Sequence, residues 1–230
     1  MAIKVNFSGV PCYDFIQYVA RVLYCSGYSV LLVDFSNDRS LEESIPIPSG
    51  ILQGHTIDYC GLRYAKDYYI KYELEYDYIL YYYGQGAITH MKAHWQFVLV
   101  NSEEHSINCM LNEVSKYELY NLVLYNSSKE EAEYPLDNSY PVVVYLDMVT
   151  RKKELIKSKL SDSLSENFKI CELTYNDYEL RLLSQTENVV RFSKLSTEYK
   201  ELIKQCCLAL LRCDEDKEFL QKYKLAERGK

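Results

Sequence analysis

The sequence contains no apolar run close to the roughly 20 residues that a membrane-spanning helix needs, and its N-terminus lacks the basic segment and apolar core of a secretory leader. Both absences lead to the expectation of a cytoplasmic protein. Basic residues are in deficit: 26 Lys and Arg against 33 Asp and Glu leave a formal net charge of −7 and a pI near 5.2. That balance argues against general affinity for nucleic acid phosphates, so no nucleic acid partner is expected. No C-x-x-C pattern occurs among the 8 cysteines, which are scattered through apolar segments and are expected to be buried, reduced thiols. His90 and His94 stand four apart, as paired ligands on a helix would, but no third ligand or H-E-x-x-H pattern accompanies them and no metal is expected. Internal repeats and low-complexity linkers are also missing.

What is present is ample for one α/β core in 230 residues. The 24 tyrosines suit half-buried strands and protein interfaces, although AT-rich codon usage is the main cause we assign to their number. The stretch Ile3 to Ser36 reads as strand, glycine turn, helix, strand. IKVNFSG alternates and stops at Ser-Gly, while Val30 to Val33 is a continuous apolar run suited to a strand buried on both faces. Between them Phe15, Val19, Val22 and Leu23 recur at helical spacing, and Gly27 sits where a helix ends in a left-handed residue.

Further along, residues Asn37 to Pro48 predict a loop, and Gly50 to Asp67 short strand or turn material. Tyr68 to Tyr76 fits either a strand or the end of a helix. Strands are predicted over Asp77 to Tyr83, Trp95 to Val100, Tyr120 to Tyr125 and Phe168 to Leu173, with a helix over Ser106 to Tyr117. Lys129 to Tyr140 predicts a surface loop, and a basic helix is expected to start within Leu146 to Thr150. A short helix falls within Asp177 to Phe192. The final helix opens at Ser196 or Thr197, where a hydroxyl can cap free N–H groups. Strands alternating with helices predict a three-layer, mostly parallel twisted sheet with helices on both faces. Residues 1–213 form the expected domain and residues 214–230 a charged tail.

These intervals resemble the MinD/ParA family of P-loop NTPases, including its CpaE/TadZ-like branch associated with pilus assembly. The family's K-G-G-x-G-K-T-T is followed by L-A-x-x-L-x-x-x-G-x-x-V-L-L-I-D, and here Val19-Ala20, Leu23, Gly27 and Val30 to Asp34 fall at the same intervals. YDYILYYYG resembles the family's second acidic strand, and ELYNLVLYNSS its strand ending at an adenine-contacting Asn, which places Asn126 in that role. ICELTYNDYELRLLSQTENVVRFSKLSTEYKELIKQC resembles the family's end. The resemblance spans about Ile3 to Leu211 and implies a P-loop NTPase-like fold.

The departures fall on the chemistry. In the resemblance, the P-loop Lys position holds Cys12, the Mg²⁺-binding hydroxyl position Tyr13, the preceding Gly Pro11 and the signature Lys Phe7, while Gly9 alone is kept and Val10 follows it. The switch Asp corresponds to Ser36 and the Walker B Asp to Tyr82. A phosphate cradle needs consecutive inward N–H groups, and Pro11 has none. Asp14 places a negative charge where the helix N-terminus would attract an anion. The vestigial site is therefore Gly9, Val10, Pro11, Cys12, Tyr13, Asp14, Tyr82 and Asn126, with no cofactor expected beyond weak nucleotide binding. Cys12 near a helix N-terminus has the position of an activated thiolate, but Asp14 opposes that and no His is near in sequence.

The resemblance then implies a catalytically inactive scaffold, localisation or regulatory factor with protein partners, including a nucleotide-independent homodimer, in a pilus or secretion assembly. A divergent ATPase and a module binding another ligand between Tyr13, Tyr82 and Asn126 remain the alternatives. Glu218 to Lys230 resembles the amphipathic membrane-targeting tail of MinD-type proteins, but Glu218 and Glu227 interrupt it and membrane association is not expected.

Overall fold

A computed structural model describes residues 2–46, 55–66, 68–85, 93–127, 142–148, 153–160, 168–187 and 190–229, without the side chains of residues 116–127, 145 and 153. β1 (Ile3–Gly9), α1 (Tyr13–Cys25) and β2 (Val30–Asp34) form the expected βαβ unit. α1 stops because Gly27 adopts φ +96. The Gly27 N–H then reaches the Tyr24 carbonyl at 2.9 Å and the Tyr28 N–H the Leu23 carbonyl at 3.2 Å, the paired bonds of a Schellman end.

Next come α2 (Ser40–Glu43), β3 (Thr56–Tyr59) and β4 (Leu62–Ala65). Residues 37–48, expected as loop, thus carry one helical turn. β3 and β4 make an antiparallel hairpin whose two-residue turn, Cys60 at φ 52 and Gly61 at φ 80, has the positive dihedrals that match strand twist. α3 (Tyr72–Glu75), β5 (Tyr78–Gly84) and β6 (Trp95–Val100) follow, so Tyr68 to Tyr76 resolves as a helical turn.

α4 spans Glu104–Ser127, which corrects the strand expected over Tyr120 to Tyr125. A short apolar run does not distinguish a strand from a helix segment, and neither Gly nor Pro lies between Ser106 and Ser127 to stop the helix. β7 (Val142–Asp147) takes the sheet position beside β6. It also displaces the basic helix expected to begin within Leu146 to Thr150: the strand keeps its partner through Asp147, and α5 covers Lys153–Ser158. Lys129 to Tyr140 lies outside the described residues.

β8 (Lys169–Glu172) leads to α6 (Tyr175–Glu187), a 3₁₀ turn at Phe192–Lys194, α7 (Thr197–Leu211) and α8 (Lys217–Glu227). Ser196 caps α7 by accepting from the Tyr199 N–H at 3.2 Å. Residues 217–227, in the expected charged tail, form a helix whose Phe219, Tyr223 and Ala226 are buried. That apolar face packs on the core, where Tyr223 meets Phe192 at a ring separation of 5.6 Å. No helix among the described residues is long and apolar enough to cross a membrane.

The strands order as β3-β4-β2-β5-β1-β6-β7-β8, and every neighbouring pair except β3–β4 is parallel. Alternation along β6 assigns the layers. Phe97 and Leu99 join the core under α1, α7 and α8, while Val98 and Val100 join Ile107 and Met110 of α4 and Ile156 of α5. On that second face, towards the other edge, Leu31, Val33, Ile79 and Tyr81 form a further cluster. The architecture is the predicted three-layer α/β sheet. Burial of each large apolar side chain here contributes roughly 1.5–3 kcal/mol, so the two faces make the sheet a rigid platform for the loops at its carboxyl ends.

Candidate nucleotide site

The loop in question joins β1 to α1 at the carboxyl end of a central strand, where open α/β sheets present ligands. It consists of Val10, Pro11 and Cys12. Gly9 enters it at φ +109, and a Cβ there would collide with the Leu99 carbonyl oxygen of β6. The backbone thus presses against β6 and does not open around an anion. The Val10 N–H donates to the same Leu99 oxygen at 3.1 Å. Pro11 has no N–H. The Cys12 N–H donates to the Tyr82 hydroxyl at 3.4 Å.

Tyr82, from β5, is fully buried and also accepts from the Ser40 hydroxyl of α2 at 3.2 Å. Its phenol therefore holds the loop where a phosphate oxygen would otherwise meet backbone N–H groups. Burial pushes the Tyr82 hydroxyl well above its ordinary pKa, so it stays neutral. Ser36 and Asp34 lie at the end of β2: Asp34 Oδ1 accepts from the Ser36 N–H at 2.8 Å and its hydroxyl at 2.5 Å, and Oδ2 from the Glu42 N–H at 3.0 Å. Desolvation raises the Asp34 pKa against these bonds.

Asp14 has no exposed surface, yet its charge is met from 167 residues away: Arg181 Nε on α6 donates to Oδ1 at 2.9 Å. The Tyr199 hydroxyl of α7 donates to Oδ2 at 2.9 Å. The negative charge expected at the head of α1 is thus met internally by Arg181 and Tyr199. Tyr13 is buried as well, and its hydroxyl donates to the Arg181 carbonyl at 3.0 Å. Arg181 Nη2 is buried with no hydrogen-bond partner, a cost that marks this pair as specific in position and not simply stabilising.

Burial raises the Cys12 thiol pKa strongly, Arg181 lowers it less and Asp14 adds to the rise. That removes the thiolate a nucleophile would need. Phe7, placed at the signature Lys position by the resemblance, is a strand residue in the core, stacked on Phe97 at 5.0 Å. Gly9, Val10, Pro11, Cys12, Tyr13, Asp14 and Tyr82 do come together. Asn126 does not stand at a strand end: it falls in the last turn of α4, and its side chain is outside the described residues.

Three residues escaped the sequence reading. Ser40 lay in a segment read as loop, and Tyr199 lies in the first turn of the final helix, where only the capping hydroxyl was singled out. Arg181 carried a usable signal, because it shares the buried face of α6 with Leu180 and Ser184, where a guanidinium requires a buried acceptor. His90 is outside the described residues, whereas His94 Nδ1 accepts from the Lys4 N–H at 2.9 Å. Among the described residues no three His, Cys, Asp or Glu side chains converge as a metal site would require.

No protein-family model matches the chain, and no curated protein does. Solved structures do match. A chain of the MinC:MinD cell division protein complex of Aquifex aeolicus superposes with a TM-score of 0.63 at 16% identity, covering 94% of this chain and 98% of that one. A ParA family ATPase from Chlorobium tepidum follows at 0.45 and 12%, covering 98% of each chain. pNOB8 ParA bound to nonspecific DNA gives 0.44 and 13%, over 98% of this chain and 99% of that one. The first of these shows the fold: a P-loop NTPase-like α/β sheet of the MinD type.

Proposed function

We propose that this chain is a MinD/ParA-like protein of the CpaE/TadZ-like kind that does not hydrolyse ATP. Its role is that of a scaffold, localisation or regulatory factor acting through protein contacts in a cytoplasmic assembly related to pili or secretion. One observation carries the loss of hydrolysis: of the three loop residues, Val10 gives its N–H to Leu99, Pro11 has none, and Cys12 gives its N–H to Tyr82. Phosphoryl transfer is mostly positioning and charge neutralisation, and here Cys12 and Tyr13 replace the cation and the Mg²⁺ hydroxyl. The cation that is close, Arg181, is committed to Asp14. The fold's remaining resource is its surface, and a neighbour with this fold comes from a MinC:MinD complex, where it has a protein partner.

The test is turnover of Mg²⁺·ATP by the purified chain, together with calorimetry of ATP binding. The expected result is no phosphate release above a buffer blank. Release that persists through purification and disappears in a folded Cys12→Ala variant would overturn the proposal.

A further inference from the structure

We infer that a cleft at the foot of the sheet, between the end of α1, the β3–β4 turn and the end of α3, binds an organic cation: an ammonium or guanidinium group on an apolar stem. The cleft has a volume of about 550 Å³, and its lining includes Tyr24, Ser29, Asp58, Arg63, Glu75 and Tyr76. That size lies within the roughly 300–1,000 Å³ of small-molecule sites. Val30 begins β2 and Tyr76 precedes β5, so the cleft stands at the amino ends of parallel strands, and the β1–α1 loop lies at their carboxyl ends. The inference therefore goes beyond the loss of hydrolysis and does not depend on it.

Its walls are tied to one another. Tyr24 packs so closely on the β3–β4 turn that a Cβ on Gly61 would stand 2.6 Å from its ring. Arg21 lies over the same ring, 5.5 Å from its centroid, and donates to the Cys60 carbonyl of that turn. On the other side, the Ser29 N–H and hydroxyl donate to Asp77 Oδ2 at 2.8 and 2.7 Å, and the Asp77 N–H donates to the Ser29 carbonyl at 3.0 Å. Rings and carboxylates are thus held in place before a ligand arrives, which lowers the ordering cost of binding.

Charge selects the ligand. Asp58 and Arg63 oppose each other across the hairpin and pair at 3.1 Å, so their charges cancel. Glu75 is exposed and makes no salt bridge with any described residue. The bonds from Ser29 hold the Asp77 carboxyl below its usual pKa range and keep it charged. α1 ends here with no basic residue in its last turn, so the negative end of its dipole adds to the same field. Arg21 opposes that field, but it is engaged by Tyr24 and by the Cys60 carbonyl. An anion would meet net repulsion, and a neutral ligand would leave Glu75 without a partner. A cation gains from Glu75 and Asp77, while its stem packs on the tyrosine side chains, Tyr24 being 41% exposed.

Titrations of the isotope-labelled full chain, followed by amide NMR, provide the test. The probes are cadaverine and end-blocked Gly-Lys-Gly and Gly-Arg-Gly peptides, with acetate and glucose as controls. The expected result is saturable shifts of the Ser29, Gly61, Arg63 and Tyr76 amides with the cations alone, weakening as salt is added. Glu75→Gln should weaken binding by about threefold or more, the scale of one partly exposed ion pair, and Glu75→Lys should abolish it. Glu104→Gln removes the same charge at the other end of the sheet and should leave the affinity unchanged. Peptides bound more tightly than cadaverine would assign the cation to a partner protein's side chain, and the reverse order to a free polyamine. Binding of glucose or acetate at these amides, cation binding that a folded Glu75→Gln variant leaves unchanged, or the absence of any saturable shift would overturn the inference.

Discussion

The head of α1 and the outward side of α6 treat charge in opposite ways. At the head of α1, Asp14 is fully buried and meets Arg181 at 2.9 Å, and the Tyr82 hydroxyl is surrounded by Cys12 and Ser40. On the outward side of α6, Glu179 stands in solvent without an ionic partner among the described residues, beside exposed Tyr175, Tyr178 and Leu182. In the first region polar groups are consumed in fixing one internal arrangement. In the second they remain available, next to the kind of aromatic surface that protein interfaces concentrate. A loop that stands at the ligand end of the sheet is closed, and a helix side that a phosphate motif says nothing about is open.

The contrast can be broken most severely at Asp14. Asp14→Ala leaves the Arg181 guanidinium buried without its carboxylate and is expected to cost about 3–5 kcal/mol in urea unfolding. Replacing both partners by apolar residues, Asp14→Leu with Arg181→Met, should recover much of that loss; failure to recover would mean that the pair contributes net stability. Gly9→Ala comes next, at about 3 kcal/mol, since it combines the φ of +109 with the collision against the Leu99 carbonyl. Its thermal midpoint should fall while the far-ultraviolet spectrum keeps its α/β shape.

Tyr82→Phe is milder. It removes the acceptor of the Cys12 N–H and is expected to cost about 1–2 kcal/mol, with no gain of ATP binding in calorimetry. Gain of binding would show that the phenol alone keeps nucleotide out. The smallest effect belongs to the exposed side of α6: Tyr175→Ser with Leu182→Ser should alter stability in urea unfolding by no more than about 0.5 kcal/mol. A large destabilisation there would place those side chains in the core and erase the difference between the regions.

Much of the fold was legible because it rests on local pattern. The run Val30 to Val33, the helical spacing from Phe15 to Leu23 and the left-handed Gly27 each carry their structure in a few neighbouring residues. Tyr120 to Tyr125 failed for the converse reason: six residues of mixed aromatic and aliphatic character fit either period, and the continuity of α4 decided the matter. The β3–β4 hairpin hid behind Cys60, a residue that seldom takes positive φ.

At the site, Gly9 to Asp14 could be grouped from sequence because they are consecutive, and the loss of lysine and hydroxyl could be read residue by residue. What closes the loop could not. Arg181 lies 167 residues from Asp14 and Tyr199 lies 185 away, and no spacing rule reaches that far. Sequence therefore tells which chemistry the loop has lost, and packing tells what took its place.

The packing of α8 on α1 sets an order for synthesis. Phe219 and Tyr223 belong to the same apolar cluster as Tyr18 and Val22, so one of the earliest helices is completed by one of the latest. Such contacts raise the contact order and delay the final collapse, because the loop-closure entropy is lost before the contacts compensate it. On the ribosome, the βαβ unit would emerge with the outer side of α1 still bare, and that side would be covered only as α7 and then residues 217–227 clear the exit tunnel. During that interval the nascent chain presents the apolar side of that helix, the kind of surface that makes unfinished chains prone to aggregate.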